Sequence, residues 1–158
     1  MARVLIVGCG CRGRALAAAL AEAGHAVRGS TRDEARLRDI EAAGAEPTIG
    51  DPDRLATLLP SLAGVSVVCW LMGSAAPSDV NGARLKALTE KLVDTPVRGL
   101  VYEGRGTAQP EALDLGAAIV AAAAETHRMH AEVVRADPAD HGAWLGAMRA
   151  AVARVLSA

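Results

Sequence analysis

Apolar and polar positions along the chain follow two rhythms. Unbroken apolar, β-rich runs fall at 3–7, 26–30, 46–49, 65–71, 98–102 and 131–135. Val4-Leu5-Ile6-Val7 carries no polar side, which is the pattern of a strand buried on both faces. Between these runs, apolar residues recur at helical spacing over 12–23, 33–43, 52–62, 79–93, 110–126 and 141–156. Six strands alternating with six helices predict an α/β fold with a doubly wound parallel sheet. The expected strand order is 3-2-1-4-5-6, with helices on both faces.

Punctuation agrees with these limits. Gly24 and Gly44 follow the first two helical patterns, where a C-terminal Gly is favoured, and Gly64 stops the third. Asp51-Pro52 reads as a capping residue followed by a Pro at the first helical position. In the last helix Trp144, Leu145, Met148, Val152 and Leu156 share one face. That face is expected to pack on the sheet, with part of it a candidate homodimer surface. No stretch reads as a linker, so residues 1–158 are expected to form a single domain.

Composition narrows the class. The longest near-continuous apolar run, 65–72, is strand-sized and far short of the roughly 18–20 residues that span a bilayer. The start of the chain has no basic leader or long apolar segment, so the cytoplasm is the expected location. A net charge of −1 without any like-charge block argues against a nucleic-acid partner. Three cysteines do not suggest a disulfide framework. With no Phe and one Tyr, the core is expected to consist of Ala, Val, Leu and Ile.

The first strand runs into Gly8-Cys9-Gly10-Cys11-Arg12-Gly13, a G-x-G-x-x-G turn that also opens a helix. Its place between strand and helix makes it a dinucleotide-binding fingerprint of the Rossmann type. Gly8 permits the tight turn, Gly10 lets the backbone approach a pyrophosphate, and Gly13 lets helix and strand pack closely. The unpaired N–H groups and dipole of the helix terminus attract the phosphates. Cys9 and Cys11 read as small residues at the variable positions of the loop, with a redox-sensing thiol as the alternative.

The end of the second strand bears on the choice of cofactor. An NAD-specific site places an acid there for the ribose hydroxyls, whereas this chain has Ser30-Thr31-Arg32. Two hydroxyls followed by a guanidinium suit a 2′-phosphate, so NADP is expected over NAD. Arg12 and Arg14 stand close in sequence to add to this charge. Another nucleotide, such as FAD or an adenylate, stays open, because the phosphate turn does not specify the far end of the ligand.

Several segments in order resemble the atypical short-chain dehydrogenases/reductases, including NmrA-like proteins. They are Val4-Leu5-Ile6-Val7-Gly8-Cys9-Gly10, Gly13-Arg14-Ala15-Leu16, the stretch from Gly24 to Arg32, Gly50-Asp51, Gly64-Val65-Ser66-Val67-Val68, Val80-Asn81-Gly82 and Val97 to Tyr102. The resemblance implies a Rossmann fold, with Asp51 near the adenine. It also implies that the end of the fourth strand, Leu71, Met72 and Gly73, lies beside the nicotinamide ribose. The chain departs from the family where catalysis resides. The family's Ser after the fifth strand is replaced by Glu103-Gly104-Arg105-Gly106, and the helix expected to carry its Tyr and Lys contains neither.

Glu103 and Arg105, at the carboxyl end of the fifth strand, are the polar candidates for a substrate or proton-transfer role, and Glu103 is the candidate catalytic residue. Solvated charges on a surface turn are the alternative. Trp70 and Met72 are read either as a nicotinamide wall or as core. His127, His130, Asp137, Asp140 and His141 match no zinc spacing, so no metal is expected. Two functions follow: a minimal NADP(H)-dependent oxidoreductase without the Ser-Tyr-Lys site, or a non-catalytic NADP(H)-sensing or scaffold protein.

Overall fold

The computed structural model describes residues 2–76 and 78–158. Six parallel strands form one sheet: β1 Arg3–Val7, β2 Ala26–Thr31, β3 Glu46–Ile49, β4 Val67–Trp70, β5 Gly99–Glu103 and β6 His130–Val134. Their order is β3-β2-β1-β4-β5-β6, the doubly wound order expected from the alternation. Among the described residues, four α-helices lie between strands, α1 Cys11–Glu22, α2 Leu37–Ala42, α3 Ala83–Leu92 and α4 Pro110–His127, and a fifth, α5 His141–Ser157, follows β6.

The period-2 pleat of each strand splits its apolar run between two cores. Val4, Ile6 and Cys69 face one side, where they meet Leu16 and Leu20 of α1 and Trp144, Met148 and Val152 of α5. Leu5, Val7, Val68 and Trp70 face the other, against Leu85 and Leu88 of α3 and Leu113 and Val120 of α4. Each fully buried large aliphatic contributes roughly 1.5–3 kcal/mol, so two complete layers hold this sheet. Trp70 belongs wholly to the core and donates its indole N–H to the Val80 carbonyl over 2.9 Å.

One expected element is absent as read. Residues 52–62 form no α-helix but two short 3₁₀ turns, Leu55–Thr57 and Leu59–Leu62. Pro60 is the physical reason: it donates no N–H and its ring clashes with the carbonyl four residues back. Arg28 of β2 secures this crossover, donating to the Ser61 carbonyl over 2.6 Å and the Ala63 carbonyl over 3.1 Å. The patterns at 33–43 and 79–93 likewise begin as 3₁₀ turns, Glu34–Arg36 and Asp79–Asn81, before α2 and α3. Asp33 caps the first of these, accepting from the Ala35 N–H over 2.9 Å. Gly24 closes α1 in the left-handed region, φ 95°, as its position suggested. Among the described residues, no helix is long and apolar enough to cross a membrane.

The crossovers leave β1 toward β2 on one side and pass to β4 on the other. The carboxyl ends of β1 and β4 therefore form the point where the winding reverses, and a crevice opens there.

Candidate cofactor site

A cleft of about 630 Å³ occupies that crevice, within the range of small-molecule sites. Its floor is the Gly-rich turn. Gly8 has φ 82°, and a Cβ there would lie 2.7 Å from the Leu71 carbonyl oxygen, so only Gly makes this turn against β4. A Cβ on Gly10, by contrast, would meet nothing within 4 Å, because it would point into the open cleft. Gly13 lies beneath, where a Cβ would sit 3.2 Å from the Gly8 carbonyl oxygen; it is the close-packing position and does not line the cleft.

Gly10 is the N-cap of α1, and no side chain caps the helix. The first N–H groups of a helix have no intrahelical partner, so this terminus presents donors and a positive dipole end to the cleft. Cys9 lines the cleft yet is buried, and burial pushes its thiol up to about 11 against the opposing pull of the Arg14 cation. Cys11, the first residue of α1, is exposed.

One end of the cleft is polar. Ser30, Thr31 and Arg32 line it, together with Asp33 and Arg36. Ser30 is 1% exposed and its Oγ has no hydrogen-bond partner among the described residues. A buried hydroxyl without a partner costs about 1–3 kcal/mol. Arg32 is exposed and makes no ion pair among the described residues. Arg36, not singled out from the sequence, ends the 3₁₀ turn Glu34–Arg36 and pairs loosely with Asp33 at 3.8 Å.

The other end is apolar: Leu71, Met72, Ala75, Ala76 and Val80 line it, relieved by Ser74 and Ser78. Asp51 does not line the cleft; its carboxylate accepts from the Asp53 N–H over 2.9 Å, and Gly50, Pro52 and Asp53 form the lining there. Gly73 is also set back from the cleft.

Glu103 and Arg12, expected in separate roles, meet each other. Arg12 Nη2 lies 3.0 Å from Glu103 Oε1 and 3.1 Å from Oε2, and Arg12 Nε lies 3.2 Å from Oε2. The Gly73 N–H also donates to Oε1 over 2.9 Å, and Trp144 Nε1–H donates to Oε2 over 2.9 Å. The Arg12 guanidinium lies 5.7 Å from the centroid of the Trp144 ring, a cation–π distance. Glu103 is fully buried, and four donor nitrogens occupy its two oxygens. Arg105 stands on the surface, paired with Asp137 at 3.3 Å. Tyr102 is buried; its hydroxyl donates to Asn81 Oδ1 over 2.7 Å, and burial raises its pKa. Of the C-terminal histidines, His130 pairs with Glu132; no cluster among the described residues is arranged to hold a metal ion.

A family model described as NAD(P)H-binding matches residues 8–142, from the first glycine of the turn to the start of α5. The chain belongs to this NAD(P)H-binding family. The match bears out the kinship with NmrA-like, atypical short-chain dehydrogenases/reductases expected from the motifs. No curated protein matches the chain.

Many solved structures share the fold of this NAD(P)H-binding chain. A functionally unknown conserved protein from Silicibacter pomeroyi is 22% identical with a TM-score of 0.65, covering 85% of this chain and 52% of its own. The triphenylmethane reductase of a Citrobacter species, complexed with NADP(H), is 18% identical with a TM-score of 0.63, covering 84% and 48%. A yeast methylglyoxal/isovaleraldehyde reductase complexed with NADPH is 14% identical with a TM-score of 0.65, covering 84% and 53%. The chain thus spans about half the length of the structures it matches.

Proposed function

We propose that this NAD(P)H-binding chain takes NADP(H), as a minimal oxidoreductase of the short-chain dehydrogenase/reductase type that works without the Ser-Tyr-Lys site. The observation that carries the reading is one continuous cleft joining an uncapped helix terminus to two exposed arginines. The N–H groups of α1 would hold the pyrophosphate, and Ser30, Thr31, Arg32 and Arg36 the phosphorylated ribose. Leu71 and Met72 would wall the nicotinamide half. These residues fit the group: the orphaned Ser30 hydroxyl gains a partner, and the space beyond Gly10 admits a phosphate. Bound there, the nicotinamide would supply a hydride; the protein's part is to bind, orient and exclude water. Two solved structures of the same fold that carry NADP(H) or NADPH support the choice of dinucleotide.

One observation favours a second reading, a non-catalytic NADP(H) sensor or scaffold. Glu103 is saturated by N–H donors, and Tyr102 is buried on Asn81 away from the cleft lining. Neither is poised to exchange a proton with a bound substrate.

Calorimetric titration with NADPH, NADH, NADP and NAD tests the binding. NADPH is expected to bind more tightly than NADH. Arg32→Ala should weaken NADPH about tenfold or more, the worth of one charge-assisted hydrogen bond, and leave NADH unchanged. Binding of none of the four would end the reading. If binding is established, cofactor oxidation across a panel of small carbonyl compounds separates the oxidoreductase from the sensor.

A further inference from the structure

The peptide unit joining Met72 to Gly73 forms the edge of the apolar end of the cleft, and buried side chains hold both of its polar groups. Asn81 Nδ2 donates to the Met72 carbonyl over 3.0 Å, and the Gly73 N–H donates to Glu103 Oε1 over 2.9 Å. Asn81 is 5% exposed and Glu103 is 0% exposed, so neither partner is readily replaced by water. Both grips are themselves oriented. The Tyr102 hydroxyl donates to Asn81 Oδ1 and so fixes which end of the amide faces Met72. Arg12 and Trp144 hold the Glu103 carboxylate from the far side.

The contact between wall and carboxylate is tight. A Cβ on Gly73 would lie 2.8 Å from Glu103 Oε1, so glycine is needed for the approach. The Met72 carbonyl also accepts from the Ala75 N–H over 3.3 Å, so both polar groups of this peptide are engaged within the protein, and Leu71 and Met72 line the wall. The same carboxylate reaches the phosphate turn through Arg12, the second residue of α1. One buried group therefore sets the spacing between the phosphate turn and the apolar wall.

We infer that Glu103 and Asn81 are positioning residues for the nicotinamide half of the cofactor, acting by locking the Met72–Gly73 peptide against the phosphate turn. The inference rests on the proposed binding of NADP(H) and deepens it, since Glu103 then acts through geometry and not as a proton donor. Neither Ser30 nor Arg32, at the polar end of the cleft, is hydrogen-bonded to Glu103 or Asn81 among the described residues. A ligand confined to that end is indifferent to the lock.

The test compares NADPH with adenosine 2′-monophosphate, which carries the 2′-phosphorylated adenosine and no phosphate for the Gly-rich turn, by calorimetry on the full chain and its variants. In Glu103→Gln and, independently, in Asn81→Leu, the Kd for NADPH should rise about tenfold or more, as for a lost hydrogen bond with a buried partner. The Kd for the monophosphate should stay within about twofold, as expected for distant independent sites. If Glu103→Gln does not fold, Asn81→Leu decides, and Tyr102→Phe, which removes only the hydroxyl that orients Asn81, gives the mildest version of the same split. Equal weakening of both ligands, or of neither, overturns the positioning role. Failure of the wild-type chain to bind either ligand overturns the binding reading, and this inference with it.

Discussion

Replacing Gly10 by Ala separates two quantities that most substitutions change together. Gly10 has φ −83° and ψ −153°, a conformation open to any residue, and its added Cβ would meet nothing within 4 Å. In the free protein the change is therefore neutral or stabilising, by about 0.4–1 kcal/mol through the unfolded chain. Binding responds in the opposite sense. A pyrophosphate that accepts from the first N–H groups of α1 must come to about 2.7–2.9 Å of the backbone, and the methyl group stands in that path. Loss of two charge-assisted hydrogen bonds at about 1.5–3 kcal/mol each amounts to at least 3 kcal/mol, or a Kd about two orders of magnitude higher.

Thermal melting and calorimetric titration with NADPH read the two effects side by side. The expected Gly10→Ala protein melts at or above the wild-type temperature and binds NADPH at least about a hundredfold more weakly. Gly8→Ala is the contrasting control. Its φ of 82° and the Leu71 carbonyl 2.7 Å from the new Cβ make it destabilising in the free protein. Wild-type affinity in Gly10→Ala would refute the reasoning, because the phosphates would then not approach this turn. A melting temperature as low as that of Gly8→Ala would refute the assignment of open space.

Two further predictions concern the buried groups. Gly116→Ala on α4 would drive a methyl group into the Tyr102 hydroxyl and ring, and such overpacking should lower stability by about 1–3 kcal/mol; an unchanged melting temperature would refute this packing. Burial pushes the Cys9 thiol up to about 11, with Arg14 opposing, and the Cys69 thiol up to about 12. The unfolded chain releases these protons near 9, so stability complete below pH 9 should be lost as pH rises through 11; a flat unfolding free energy over that span would refute it.

The elements that were legible in the sequence rest on local rules. Val4 to Val7 carry no polar side because both faces are covered, and the turn that follows is specified by glycines whose spacing mirrors the geometry. Ser30 and Arg32 fall at the polar end of the cleft because strand β2 ends there, a consequence of register: Val7 pairs with Ser30 on one side and Trp70 on the other. The helix expected at 52–62 failed on a local rule too, since Pro60 in its interior outweighed the capping signal of Asp51-Pro52.

The lock around Glu103 was not legible, and the reason is distance along the chain. Arg12 and Glu103 are separated by 91 positions, and Glu103 and Trp144 by 41. Each looked assignable by its own neighbourhood: Arg12 to a phosphate, Glu103 to a proton, Trp144 to a core. Local pattern locates Glu103 at the crevice but says nothing of which donors converge on it. A carboxylate at the end of a central strand is free to act on a ligand only if the adjoining elements leave it unpartnered, and here α1, α5 and the end of β4 each supply a donor. Burial supplies the energetic sense of that convergence. An unpaired carboxylate at zero exposure is costly, whereas one held by a guanidinium, an indole and a backbone amide is tolerated and fixed in orientation. Glu103 therefore sits at the carboxyl end of the sheet, beside the cleft, in the role of a strut. Its substitution is expected to register in the affinity for the whole cofactor before it registers in any proton transfer.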